Sequence, residues 1–213
     1  MSMDLYFAAG SCAFAPLITL EESGLPYQAH RLDLAAGHQR SDRFRLINPR
    51  ARVPVLVVDG LPITENIAVL TTIARLAPDA GLLPERVTDL GRAYELMSWF
   101  ASGIHVTIAQ LWRSERFTTD ASAQKALQAA APDLLLGHFR DLEGHMTGSW
   151  LIGGQFSVVD AYAAVFYRWA TGRLNMDPTI FPLWSAHDAE LQARPAVQRA
   201  LKVEQETAFL ELA

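Results

Sequence analysis

The chain has 213 residues, half of them hydrophobic and 19% charged, with a formal net charge of −5. That length and apolar fraction suit one large or two smaller folded domains, and the acidic balance leaves no basic excess to neutralise nucleic-acid phosphates or anionic lipid. No segment approaches the roughly 18 uncharged residues of a membrane span and no basic n-region precedes an apolar leader, so a cytoplasmic protein with no nucleic-acid and no membrane partner is expected.

In chain order, "MDLYFA" (3–8) is a short apolar run ended by Gly10 and predicts a buried strand. Phe14, Leu17, Ile18, Leu20 and Leu25 then recur near helical spacing, with Pro16 in the first turn and Gly24 as the stop. "PYQAHRLDL" (26–34) predicts a second strand, parallel to the first. Residues 35–52 are polar, basic and irregular, and predict a mobile surface segment with at most one short helix before Asn48-Pro49. "VPVLVVDG" and "LPITE" predict two strands joined at Asp59-Gly60, a strong hairpin turn. A helix follows in "ENIAVLTTIARLAP", closed by Pro78.

This order predicts an N-terminal thioredoxin-like α/β domain over residues 1–79. The Pro- and Gly-bearing stretch at 80–88 predicts a linker, and residues 89–213 predict an all-helical domain. In that half, Leu96, Phe100, Ile104, Ile108 and Leu111 stripe one long helical stretch. Residues 121–146 form another, with a kink expected at Pro132. Ser157 with Asp160 three residues on is a capping box, whereas Phe156 finds only the small Ala161 as a staple partner. Two short helices, separated at Arg194-Pro195, complete the chain.

Cys12 is the single cysteine. That excludes an internal disulfide and a cysteine-based zinc site, so any redox chemistry at Cys12 uses a thiol from outside the chain. At a helix start its thiolate would be favoured by unpaired N–H groups and the dipole; a lone cysteine is otherwise a buried small hydrophobe. Ser11, beside it, is a competing hydroxyl or a helix cap. The six histidines at 30, 38, 105, 138, 145 and 187 have no metal-ligand spacing, and there is no phosphate loop or dinucleotide fingerprint. Neither a metal nor a nucleotide is expected.

Four motifs in order, "GSCAFAP", "INPRARVPVLVVDG", "TENIAVL" and "FSVVDAY", resemble the cytosolic glutathione transferase superfamily, and the cysteine in the first loop is similar to its bacterial beta-class branch. The resemblance spans essentially the whole chain. It implies glutathione as co-substrate, a small hydrophobic electrophile as second substrate, and a homodimer. It assigns catalysis to Cys12 or Ser11. It assigns glutathione binding to Val53 and Pro54 through a cis peptide, to Glu65 and Asn66 at a helix start, and to His105 across the cleft. Asn66 stands where the family commonly has Ser or Thr. Phe7 stands where the beta-class pattern has tyrosine and joins Trp112 and Arg113 in the electrophile pocket. A lysine expected near Ala36 and Gly37 is missing, leaving His38, Arg40 or Arg52 for the glycine carboxylate of glutathione.

Two mechanisms follow from that resemblance: conjugation by the glutathione thiolate, or thiol exchange through a mixed disulfide on Cys12. The alternatives are a zeta-type glutathione-dependent isomerase and a non-catalytic transferase-like binding module.

Overall fold

The structure, a computed structural model, describes residues 1–211. β1 (Met3–Phe7), β2 (Gln28–Arg31), β3 (Val55–Val58) and β4 (Leu61–Thr64) form one sheet in the order β2-β1-β3-β4. β2 runs parallel to β1, and β3 and β4 are antiparallel additions. Helix α1 (Phe14–Ser23) connects β1 to β2 and ends on Gly24 in the left-handed conformation. Residues Phe14 to Leu20 are all buried, because α1 lies between α3 (Asn66–Leu76), α7 (Val158–Gly172) and α9 (Pro195–Glu206). A helix covered on every side needs apolar residues all round rather than a stripe.

The segment expected to be irregular and mobile is instead ordered. A 3-10 turn over His38–Arg40 leads into α2 (Asp42–Ile47). Ser41 Oγ accepts the Phe44 N–H at 3.2 Å as an N-cap, and Phe44 is buried with Leu32 and Val55 on the sheet face opposite α1. One fully buried aromatic is enough to pin a six-residue helix that would not persist alone.

The helical layer holds α4 (Val87–Trp99), α5 (His105–Trp112), α6 (Ala121–His145), α7, α8 (Pro182–Gln192) and α9. A π-helical turn over Phe100–Ile104 joins α4 to α5. The apolar stripe explains it: residues 96, 100, 104 and 108 are four apart, and a four-residue step overshoots a 3.6-residue turn by about 40° each time. A wider turn takes back part of that drift. Gly103 sits inside it because a Cβ there would stand 3.0 Å from the Trp99 ring. Helix α6 continues across Pro132. Phe156 lacks a partner at Ala161 and packs edge-on to Trp150 instead, at 5.4 Å between centroids. The stretch read as a linker is anchored: Leu82 is buried, and its carbonyl accepts the N–H of Val158 at 3.0 Å. One hydrophobic core therefore runs from the sheet through α1 into α7.

Candidate active site

The loop from β1 to α1 carries Gly10, Ser11 and Cys12 to the seam between the sheet and the helical layer. Gly10 has φ of +70°, a conformation that costs glycine nothing. Both of its backbone groups are taken by the helical layer: its N–H donates to Glu204 Oε1 at 3.0 Å, and its carbonyl accepts from Trp169 Nε1 at 2.9 Å. Glu204 is buried and paired with Arg168 at 2.8 Å, whose guanidinium lies 4.0 Å over the Phe14 ring. The reactive loop is thus oriented by residues more than 150 positions away.

Ser11 faces inward on its own turn. Its hydroxyl donates to Ala8 O at 2.6 Å and accepts the Ala13 N–H at 3.2 Å, so it ties the loop together ahead of the helix, whose N-cap position is Ala13. Cys12 is 8% exposed, and its S–H donates to the Val53 carbonyl at 3.8 Å. Burial pushes this thiol up to about 12, and the Glu65 carboxylate adds to that; the backbone N–H at the site, Arg116 and Arg52 only partly offset them. The expectation of a stabilised thiolate is therefore corrected, since desolvation of the charged form outweighs the pull of the helix start.

The Val53-Pro54 peptide is cis. The segment before it is tied by the buried Asn48, whose Nδ2 donates to Arg52 O at 2.8 Å and whose Oδ1 accepts the Arg50 N–H at 3.1 Å. Glu65, just before α3, has φ of +71°, an unfavourable conformation for a non-glycine residue that costs about 1–3 kcal/mol and tends to occur at ligand sites. No side chain caps α3, so its first N–H groups stay open to an anion. The Glu65 side chain is exposed and 3.5 Å from Arg50. Asn66 does not cap the helix either: it is buried, and its Nδ2 donates to the Cys12 carbonyl at 3.1 Å. Its Oδ1 is buried with no partner among the described residues.

His105, the first residue after the π turn, lies beside Trp169 at 5.3 Å between centroids, and its Nδ1 is 3.5 Å from the Tyr162 hydroxyl. Burial, helped by the positive charges of Arg116 and Arg52, pulls its imidazole down to about 4, so it is neutral at pH 7. Burial likewise pushes the Tyr162 phenol up, and Cys12 acts in the same direction. Cys12, Asn66, Tyr162 and His105 thus share one seam. His38 is committed elsewhere, its Nδ1 accepting the Asp33 N–H at 3.3 Å. Arg52 acts electrostatically on both Cys12 and His105.

Of the residues expected in an electrophile pocket, Trp112 packs edge-on to Trp169 at 5.4 Å, and Arg113 is exposed at the end of α5. Phe7 is corrected: it is 0% exposed in the core, because alternation along β1 turns it with Leu5 toward α1, so it lines no open pocket. Sequence reasoning missed Arg168, Trp169 and Glu204, and met Tyr162 only as the last residue of the FSVVDAY stretch, with no role. Among the described residues, no three His, Cys, Asp or Glu side chains gather as metal ligands.

Residues 1–75 match the glutathione S-transferase N-terminal domain family. A glutathione S-transferase of Xanthomonas campestris is 33% identical over 207 residues, covering 95% of this chain and 98% of that protein. The chain belongs to the glutathione S-transferase family. A Sulfitobacter glutathione transferase homologue solved with bound glutathione superposes with a TM-score of 0.90 at 30% identity, covering 94% of this chain and 97% of that one. The Sphingomonas chungbukensis beta-class enzyme gives 0.83 at 30% identity, covering 96% and 100%.

Proposed function

We propose that this glutathione S-transferase conjugates glutathione to small hydrophobic electrophiles, with Cys12 acting as a hydrogen-bond donor and not as the attacking atom. The protonated state of Cys12 carries the reading: a thiol pushed up to about 12 keeps its proton, so it is available as a donor and attacks poorly. Glutathione lies along Val53 and Pro54 with its cysteinyl unit paired to backbone as an added strand. Its glutamyl carboxylate meets the uncapped N-terminus of α3 beside Glu65 and Asn66, and Arg52 takes the glycine carboxylate in place of the missing lysine. The Cys12 S–H and the arginines above it favour the glutathione thiolate, which attacks the electrophile held toward Trp112 and Arg113. His105 closes the opposite wall, and Ser11 keeps the loop in shape.

A cytoplasmic homodimer needing neither metal nor nucleotide goes with this reading; no helix among the described residues is long and apolar enough to cross a membrane. The zeta-type isomerase is less supported, since Gly10 stands where that group has serine.

The test is conjugation of 1-chloro-2,4-dinitrobenzene by the native protein and by Cys12→Ala, with intact-mass measurement after exposure to oxidised glutathione. The native protein conjugates and forms no adduct, and Cys12→Ala keeps activity reduced by about tenfold to hundredfold, the weight of one hydrogen bond to a charged sulfur. A mixed disulfide on Cys12 with no conjugation would replace this mechanism by thiol exchange. No glutathione binding at all would leave a non-catalytic module.

A further inference from the structure

Tyr162 is a buried phenol that the conjugation scheme leaves without a task. It is 1% exposed, and its ring is fixed edge-on to Phe100 at 5.7 Å and against Phe166 at 5.1 Å between centroids. Only the hydroxyl hydrogen can still turn. Burial pushes the phenol up, so the group keeps its proton and must place it on an acceptor.

Asn66 stands beside the phenol, and its amide acts on the phenol oxygen as a donor. That amide cannot be turned round, because Nδ2 donates to the Cys12 carbonyl at 3.1 Å and a carbonyl only accepts. Its Oδ1 has no donor among the described residues, so the phenol proton is not spent there. His105 Nδ1, at 3.5 Å, is the acceptor that remains. A neutral imidazole carries one hydrogen, and Nδ1 occupied as an acceptor leaves that hydrogen on Nε2. Nε2 makes no hydrogen bond among the described residues, and it is not sealed from solvent as Asn66 Oδ1 is.

His105 is also tethered to the reactive loop from two directions. Through Tyr162 and Asn66 it reaches the Cys12 carbonyl. Through Trp169, 5.3 Å away and itself bonded to the Gly10 carbonyl, it reaches the start of the same loop. Arg116 and Arg52 act on both His105 and Cys12.

We propose that Tyr162 is a positioning residue for the conjugation: its hydroxyl holds His105 as the Nε2–H tautomer, so that the imidazole offers a donor, not an acceptor, to the glutathione sulfur beside the Gly10–Cys12 loop. This rests on the conjugation reading and deepens it by assigning the tautomer of the opposite wall. A donor stabilises the thiolate, whereas an acceptor nitrogen on the same sulfur would favour the protonated thiol. An imidazole held down to about 4 is in any case a poor base for that proton.

Proton–nitrogen correlation spectra of the imidazole rings read the tautomer without turnover, with His105 identified by its absence in His105→Gln. The native protein shows His105 as a single Nε2–H species at pH 7, and Tyr162→Phe shows a mixture of the two tautomers. An Nδ1–H species in the native protein, or a ratio unchanged in Tyr162→Phe, overturns the proposal. With 1-chloro-2,4-dinitrobenzene, Tyr162→Phe lowers kcat by about threefold to tenfold and changes the KM for glutathione less, the weight of one hydrogen bond between neutral groups. In the His105→Gln background the same substitution has no further effect. An equal loss in both backgrounds means that Tyr162 acts by packing alone and overturns the proposal as well. Thermal melting checks that each variant folds, and the native spectrum decides the tautomer even where a variant does not. Absence of conjugation beside a single Nε2–H species counts against the conjugation reading and leaves the tautomer assignment standing.

Discussion

Asp160 and Cys12 each anchor a buried polar cluster, but the carboxylate of Asp160 is fully paired while the groups around Cys12 are loosely paired or unpaired. Asp160 accepts from Leu151 N and His187 Nε2 at 2.9 Å on one oxygen, and from Ser157 N and Oγ at 2.8 and 2.9 Å on the other. Around Cys12 the contacts are a 3.8 Å S–H to carbonyl, a 3.5 Å approach of Tyr162 to His105, and an orphaned Asn66 Oδ1. The pairing is complete at the carboxylate alone, since His187 Nδ1 beside it is buried with no partner among the described residues; a paired carboxylate rigidifies the fold, and unpaired groups retain hydrogen-bonding capacity. The difference separates a carboxylate whose four acceptor contacts are all made from a set of groups whose contacts are long or missing.

The sharpest way to break the comparison is to remove the carboxylate from the satisfied side. Asp160→Ala leaves a buried imidazole and two backbone donors stranded, and should cost about 3–5 kcal/mol, lowering the melting temperature by roughly 10 °C. Thermal denaturation reads this, and a shift of only a degree or two would remove the structural role.

On the other side the expected effect depends on pH. His105 is held down to about 4 from the ordinary imidazole value of about 6.5, so the unfolded chain takes up its proton first as pH falls. The stability this group contributes is present above pH 6.5 and is lost between there and about pH 4, up to roughly 3 kcal/mol. Urea denaturation of the native protein and of His105→Gln at pH 7 and pH 4.5 should show the gap between them moving in favour of the variant at low pH. A constant gap would mean the imidazole is not desolvated.

A smaller effect concerns Cys12 itself. Raising the thiol to about 12 depletes the thiolate at pH 8, while the greater nucleophilicity of a more basic sulfur recovers about half of that loss, so iodoacetamide should react about a hundredfold more slowly than with a free cysteine. Labelling at the rate of free cysteine would restore Cys12 as an attacking group.

These cases also show what was legible in the chain. The Ser157–Asp160 cap could be read because its partners are three residues apart, and the hairpin because Asp59-Gly60 is local. The sequence of strands and helices along the sheet half, the parallel first pair and the place of Cys12 at the first loop were likewise readable. The state of Cys12 was not: a dipole argument from neighbouring residues points to a thiolate, whereas the deciding quantity is burial supplied by distant residues. Phe7 was put in the pocket by the resemblance, whereas alternation along β1 turns it into the core. Gly10 announced a turn, but nothing adjacent announces that Trp169 and Glu204 hold it. The short helix before Asn48-Pro49 was allowed for, but the order of its segment was not, because the anchors Phe44 and Ile47 stand among polar and basic neighbours.

The π turn at Phe100–Ile104 can be regarded as an α-helix carrying one surplus residue. Deleting a single residue there would restore ordinary winding, at the price of rotating everything downstream by about 100°. His105 would swing away from Tyr162, and Trp112 from Trp169, with no change in charge. The two walls of the cleft are therefore kept in phase by one residue's worth of backbone, a register device inside a helix comparable to the bulge that re-aims side chains in a strand.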